Sequence, residues 1–462
     1  MRQRQLIDSA SSPGPNGLPS ANSAILRTLV GHPIDSSDTI SARRSSAAVA
    51  ISNRRRWSIL ALLFTAAVIN YIDRGTISVA LPLVAHDLRF GPQMKGVLLS
   101  AFFWSYALMQ IPVGWAVDRV NLRWFFTIMF LLWSVAQGLT GLATSLGMLM
   151  VFRILLGIGE SVYMPGAVKI ISLLFAPAER GSATGLFHCG SFLGLVIGAP
   201  LTALIISRYG WHYMFSIVGL MALPWLAAWL PAFPSHLSGG DSARRPEPRE
   251  QRHRTGPISF NRNLVAICIG EFTSGYLWFL LVTWLPDYLI AGRHLGLVTA
   301  GLYASLPYLI FTVTEPLGGW IADKLVRSGY SENLVRKSVV SVGSLFGLLL
   351  IPATRVSSPA TAIWLTAGAM LVGLSWAQTW VFPQGCAPRD EVGAWSGVAN
   401  FVANIGGVVA PLVTGFLVAH TGSYRAAFTL GAVIWVAGAF SYWFVLGDFK
   451  PQHLAEAGEI HS

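Results

Sequence analysis

Two stretches, Pro112-Val113-Gly114-Trp115-Ala116-Val117-Asp118-Arg119 and Pro316-Leu317-Gly318-Gly319-Trp320-Ile321-Ala322-Asp323-Lys324, decide the architecture. Each ends an apolar run with proline, glycine and tryptophan, followed by an acidic and then a basic residue. A second pair behaves alike: Glu179-Arg180-Gly181-Ser182-Ala183-Thr184-Gly185 is echoed by Glu391-Val392-Gly393-Ala394-Trp395-Ser396-Gly397, and Pro200 by Pro411. The offset is about 205–212 residues each time, so the chain is a duplicated unit. Two such halves with a site at their interface form a transporter architecture.

Composition fixes the solvent. Hydrophobic residues make up 53% and charged residues 11%, against about 25% charged in a soluble protein, and mean hydropathy is +0.56. The 46 glycines and 25 prolines suit packed and kinked membrane helices. Apolar spans fall at about 57–84, 94–117, 124–143, 146–175, 180–207 and 212–231, then at about 264–290, 297–322, 335–353, 359–384, 391–419 and 425–446, each near the length that crosses a bilayer. The expected fold is an all-α membrane protein with twelve transmembrane helices in two pseudo-symmetric six-helix bundles. Its domains are a disordered cytoplasmic tail over 1–56, a bundle over 57–231, a cytoplasmic linker over 232–263, a second bundle over 264–446 and a tail over 447–462. The first tail lacks the early apolar run of a secretory signal, and an early start codon is the other reading of residues 1–50.

The formal charge of +11 belongs to loops and not to a nucleic-acid surface. Arg54, Arg55, Arg56, Arg119, Arg123, Arg180, the arginine-rich linker, Lys324, Arg327, Arg336, Lys337, Arg389 and Lys450 gather on one side of the predicted spans. That places both termini in the cytoplasm and the chain in the cell inner membrane. The three cysteines lie in or at the ends of spans and imply no disulfide framework.

Four charges interrupt the spans: Asp73 and Arg74 in one, Arg153 and Glu160 in another. Each costs roughly 2.5–3.5 kcal/mol at a helix centre, so they are expected to share an interior and handle charge. Arg153, Gly157, Glu160 and Met164 occupy one helix face; Asn70 and Arg74 are a turn apart, with Asp73 on the adjacent face. A carboxyl group taken out of water favours its protonated form, and an approaching arginine favours the ionised form. Asp73 and Glu160 are therefore the candidate proton carriers, with Arg153 tuning Glu160. Arg74 is the candidate for a substrate carboxylate, which guanidinium binds in bidentate geometry. The competing reading is a static ion-pair network that holds helices together, a poor use of buried charge. Asp118, Arg119, Arg123, Asp323 and Lys324 are candidate gating residues that break contacts when the halves rock.

The loop and its repeat resemble the hallmark of the major facilitator superfamily over nearly the whole chain after residue 56. Asn70-Tyr71-Ile72-Asp73-Arg74, the run Phe102-Phe103-Trp104-Ser105-Tyr106-Ala107-Leu108-Met109-Gln110-Ile111-Pro112, and Arg153-Ile154-Leu155-Leu156-Gly157-Ile158-Gly159-Glu160 resemble its anion:cation symporters. That group includes bacterial galactonate, glucarate and hexuronate permeases and the animal sialic-acid and vesicular glutamate carriers. The resemblance implies that Tyr71 and Tyr106 line the substrate cavity, and that Thr379, Trp380 and Asn400 contact substrate hydroxyls or ring carbons. Core packing is the other reading for Trp380, and interhelical bonding for Asn400 and Asn404.

The fifth span departs from that pattern: Phe187-His188-Cys189-Gly190-Ser191 stands where relatives carry Asn-Ser-Gly and an amide. His188 and Ser191 are candidates for the substrate or proton path, beside the reading of His188 as a bonded core histidine. Glu271 is an unexpected carboxylate near the cytoplasmic mouth or inside the bundle, and Tyr276 and Trp278 are candidate cavity residues. No Walker-type loop points to ATP, no cysteine–histidine cluster points to a metal, and Gly198-Ala199-Pro200 lacks the doublets of drug antiporters. The expectation is a non-enzymatic secondary transporter that imports a small organic anion, most simply an aldonate, aldarate or hexuronate, by proton symport, without a cofactor and as a monomer in lipid. An aromatic or dicarboxylic acid is the alternative cargo. A non-transporting sensor of such an anion and a membrane-embedded enzyme are the alternative classes.

Overall fold

The structure is a computed structural model that describes residues 52–234, 259–388 and 391–447. Most of the first tail, the arginine-rich linker, Arg389, Lys450 and nearly all of the last tail lie outside those residues. Among the described residues, eleven segments are long and apolar enough to cross a membrane. In chain order they are α1 (Asn53–Asp87), α2 (Pro92–Val117), α3 (Leu122–Thr140) and α4 (Leu146–Leu174), then the long segment Glu179–Ala232, then α7 (Arg262–Gly292), α8 (Leu297–Arg327), α9 (Glu332–Ala353), α10 (Pro359–Cys386), α11 (Ala394–Thr421) and α12 (Arg425–Phe444). The segment Glu179–Ala232 has 54 residues, more than twice the roughly 20 that one crossing needs. It breaks at Gly210, whose φ of 81° no β-carbon residue adopts readily. It therefore supplies two crossings, α5 (179–209) and α6 (211–232), and the expected twelve are complete.

Local sequence explains the ends. Asn121, Ser145, Asn261 and Ser358 cap α3, α4, α7 and α10 through side-chain oxygens that accept from backbone N–H groups, each worth about 1 kcal/mol. Pro92 and Pro359 open α2 and α10, where a missing N–H costs nothing. Gly422 closes α11 in the left-handed conformation. Helix α1 begins at Asn53, so Arg54 to Arg56 form its first turn.

The halves meet along α2 with α11, α5 with α8, and α1 with α7. The described residues that border the tails and the linker, Ser52, Pro234, Ser259 and Gly447, mark one end of the bundle, called here the linker end. At the opposite, far end the contact is tight. A β-carbon on Gly96 of α2 would stand 2.5 Å from the Pro411 carbonyl oxygen and 3.2 Å from Cα of Gly415 on α11. Ser100 Oγ donates to the Val408 carbonyl across the same seam at 3.0 Å. At the linker end, Gly114 of α2, Gly397 of α11, and Gly181 and Gly185 of α5 would meet nothing within 4 Å. The halves are thus closed at the far end and apart at the linker end.

Gly96→Val should force that far-end seam open at a cost of about 1–3 kcal/mol to the closed arrangement. Spin labels at the far ends of α2 and α11 would read the separation. An unchanged distance distribution would show that the seam tolerates the added methyl groups.

Candidate functional site

The four interior charges converge where α1, α2, α3 and α4 pack together. Asp73 and Glu160 are fully buried, and Arg74 and Arg153 are nearly so. Arg74 Nε donates to Glu160 Oε2 at 2.8 Å, a buried ion pair that ties α1 to α4. Its guanidinium also lies over the rings of Tyr71, Phe102 and Tyr106, at 5.1, 5.1 and 4.7 Å from their centroids, which compensates a desolvated cation. Arg153 also sits over the Phe102 ring, at 4.8 Å from its centroid. Trp133 Nε1 on α3 donates to Asp73 Oδ2 at 2.8 Å.

Two glycines make the convergence sterically feasible. A β-carbon on Gly157 would collide with Ser105 Oγ and the Phe102 carbonyl of α2; one on Gly159 would lie 2.7 Å from Trp133 of α3. Close approach of these backbones brings Arg153 to Phe102 and Trp133 to Asp73.

The pairing differs from the sequence expectation. Glu160 takes Arg74 and not its own helix-mate Arg153, which forms no ion pair among the described residues. Arg153 Nε and Nη1, Arg74 Nη2 and Asp73 Oδ1 are buried without a hydrogen-bond partner. Buried polar atoms are paired in the great majority of cases, so four unpaired ones on neighbouring charged groups call for an explanation.

Toward the second half, Tyr71 is half-buried and Tyr106 buried. Tyr163 hydroxyl and Ser191 Oγ share a hydrogen bond of 2.6 Å, so Ser191 is engaged with α4. His188 is half-buried beside Phe187. The aromatic wall comes from Trp278, within 4.7 Å of Phe311, 5.6 Å of Trp376, 6.0 Å of Phe192 and 6.1 Å of Tyr308. Trp380 is half-buried and stands outside that cluster. Tyr276 is buried with its hydroxyl unpartnered. Glu271 resolves as a third buried carboxylate, within reach of Ser274 Oγ at 3.4 Å and beside the buried Thr379. Asn400 is half-buried, and its carbonyl accepts from Asn404 Nδ2 at 2.8 Å.

At the linker end the gating candidates pair within their own halves: Asp118 with Lys169 at 2.8 Å, and Asp323 with Arg336 at 3.5 Å. Arg119 and Lys324 lie over Trp115 and Trp320, and Arg123 donates to the Leu230 carbonyl.

Three features escaped the sequence reading. Trp133 gave no polar signal within its apolar span. Glu315 of α8 stands immediately before the repeated motif at Pro316, a charge inside an apolar run. Lys95 of α2 and Asp287 of α7 form a buried far-end ion pair of 2.6 Å between the halves, and Tyr424 hydroxyl donates to the other Asp287 oxygen at 2.6 Å. A lysine near the start of one span and an aspartate near the end of another were the available signal.

A profile of the Major Facilitator Superfamily matches residues 63–411. The chain belongs to the major facilitator superfamily. As a superfamily member it is a multi-pass membrane transport protein and not an enzyme. It is 32% identical over 418 residues to a D-galactonate transporter of Escherichia coli O6:H1, covering 86% of this chain and 97% of that one. It is 29% identical over 430 residues to a probable galactarate/D-glucarate transporter of Escherichia coli K12, covering 86% and 96%. Among solved structures, a bacterial homologue of the human lysosomal transporter Spinster superposes with a TM-score of 0.71 at 18% identity, over 86% of this chain and 98% of that one. The Escherichia coli xylose transporter in its inward-open conformation gives 0.71 at 13% identity, over 88% and 99%. The superfamily fold accounts for the twelve crossings in two halves.

Proposed function

We propose that this protein imports a sugar acid across the cell inner membrane by proton symport and alternating access. The observation that carries the reading is the buried Arg74–Glu160 pair, set beside Asp73 and roofed by Tyr71, Phe102 and Tyr106. One guanidinium there has two prospective partners, the Glu160 carboxylate and the carboxylate of an incoming anion. Protonation of Glu160 frees Arg74 to bind substrate in a bidentate pair. Proton loss restores the Glu160 partner and displaces the anion. Asp73, held by Trp133, is the second proton position, and Arg153 supplies a positive field to both carboxyl groups. The relatives named for galactonate and galactarate/D-glucarate support a polyhydroxylated acid as cargo.

The linker end, rich in lysine and arginine, is assigned to the cytoplasm. The arrangement with that end open is then the empty, inward-facing state, with Arg74 on Glu160. Asp118, Arg119, Arg123, Asp323 and Lys324 re-form contacts between the halves when the linker end closes. Tyr71, Tyr106, Thr379 and Asn400 are assigned to substrate hydroxyls, Trp278 and Trp380 to its carbon skeleton. His188, Ser191 and Tyr276 border the path. The coupling ion is the proton, no cofactor takes part, and one chain in lipid contains a complete pathway.

The test is uptake into proteoliposomes under an acid-outside gradient, across aldonates, aldarates, hexuronates and aromatic acids. Accumulation of a sugar acid that is lost when the gradient is collapsed is expected. Binding without flux, or accumulation of aromatic acids alone, would overturn the reading.

A further inference from the structure

Glu315 lies half-buried in the middle of α8, and it has no hydrogen bond or ion pair among the described residues. Its neighbours on the helix show which way it faces. Thr314 turns into the second half, where its hydroxyl reaches the Met370 carbonyl of α10 at 3.3 Å. Phe311, one turn before Glu315 on the same face, meets Phe192 of α5 at 5.4 Å, across the boundary between the halves. Cys189, one turn from Phe192 toward the linker end, is exposed, as a residue lining the gap would be. Gly194 of α5, two residues on from Phe192, packs against Tyr71 of the first half, where a β-carbon would lie 2.9 Å from Tyr71 Cβ. Tyr71 is in turn the ring that covers Arg74. Glu315 therefore faces the gap between the halves, one turn below the Phe192–Phe311 contact and opposite the Arg74 site.

In the first half Arg74 and Arg153 are matched by two carboxyl groups, Glu160 and Asp73, packed among the same helices. The second half presents Glu315 at the gap and Glu271 behind Thr379. No ion pair neutralises Glu315, so a bound molecule meets it directly. A carboxylate accepts hydrogen bonds and donates none. It rewards hydroxyl groups and repels a second carboxylate, and a like-charge contact of that kind rejects a ligand strongly.

We propose that Glu315 sets the specificity of the anion site: it accepts hydrogen bonds from hydroxyl groups at the end of the substrate remote from its carboxylate, so the protein selects hydroxylated monocarboxylates over dicarboxylates. The inference rests on the sugar-acid reading and narrows it to acids charged at one end.

The test compares binding of a six-carbon aldonate and the matching aldarate to the purified full-length protein in lipid at mildly alkaline pH, where the Glu315 carboxyl is ionised, for wild type and Glu315→Gln. Wild type should favour the aldonate by about tenfold or more, the discrimination expected of one like-charge contact. Glu315→Gln should bring the two within about threefold, chiefly by gaining the aldarate. Glu315→Asp keeps the charge and should keep the preference; with the wild-type ratio it decides the matter if the glutamine variant does not fold. Equal wild-type affinities, or an unchanged ratio in Glu315→Gln, would overturn the role of Glu315 while leaving a sugar-acid carrier standing. Binding of neither acid would overturn the sugar-acid reading and this inference together.

Discussion

Glu160→Gln is expected to abolish proton-driven accumulation while leaving exchange of substrate across the membrane. Glutamine keeps the length of the side chain and an oxygen that can accept from Arg74 Nε, now 2.8 Å from Glu160 Oε2. What it loses is the ability to ionise. The position then mimics the proton-loaded form in every conformation, with Arg74 always available to the anion. One proton carried with one monoanion moves no net charge, so each unit of pH gradient is worth about 1.4 kcal/mol, or about tenfold accumulation. That ratio should fall to about one in Glu160→Gln, because Asp73, held by Trp133 and not by Arg74, can exchange its proton without freeing or reclaiming the anion-binding guanidinium. Counterflow of labelled against unlabelled substrate should persist, since binding and rocking need no proton release. Gradient-dependent accumulation at the wild-type level would remove Glu160 from the coupling step.

The second large effect belongs to Lys95→Ala at the far end. Lys95 Nζ lies 2.6 Å from Asp287 Oδ1, and the aspartate is fully buried with Tyr424 on its other oxygen. Removing one member of a buried pair costs about 3–5 kcal/mol, because the remaining charge has lost its partner but not its desolvation. The pair joins α2 of one half to α7 of the other, so it exists only while the far end is closed. In the open arrangement water solvates both groups, and the substitution costs little there. The balance should therefore shift toward the far-end-open state by about a hundredfold or more. A single cysteine at Ser100, introduced into a cysteine-free background, would report it. Buried against Val408 in the closed seam, it should react slowly with an impermeant maleimide added on the far side, and much faster with Lys95→Ala. Asp287→Asn added to Lys95→Ala should recover part of the closed population by removing the orphaned charge. Equal labelling rates in all backgrounds would show that the pair does not hold the far end shut.

Much of the site was legible as residues, and less of it as pairs. Asp73, Arg74, Arg153 and Glu160 stand out because lipid tolerates few charges, and their burial follows from the spans they occupy. Gly157 and Gly159 were visible as small residues on the same helix, yet their effect needs the opposing backbones of α2 and α3. The arginine next to Glu160 was read as Arg153 because helical spacing speaks only of neighbours on one helix. The structure gives that place to Arg74, 86 positions away in the chain. Asp118 and Asp323 were read as loop acids near basic partners, and Lys169 and Arg336 are the partners found. Of the two tryptophans read as cavity candidates, Trp278 stands in an aromatic cluster with Trp376, Phe311 and Phe192, whereas no ring contact to Trp380 is seen among the described residues.

The sequence by itself determined the twelve crossings, the duplication into two halves and the identity of the interior charges. Each of these is a local property: without water, every span must satisfy its own backbone hydrogen bonds and be apolar enough to stay in lipid. Only the tertiary structure decided that Glu160 holds Arg74 and that Lys95 reaches Asp287. Those pairings depend on the rotation and depth of helices from distant parts of the chain. The 3.6-residue period sets the face on which a residue lies, but not which face of another helix stands opposite.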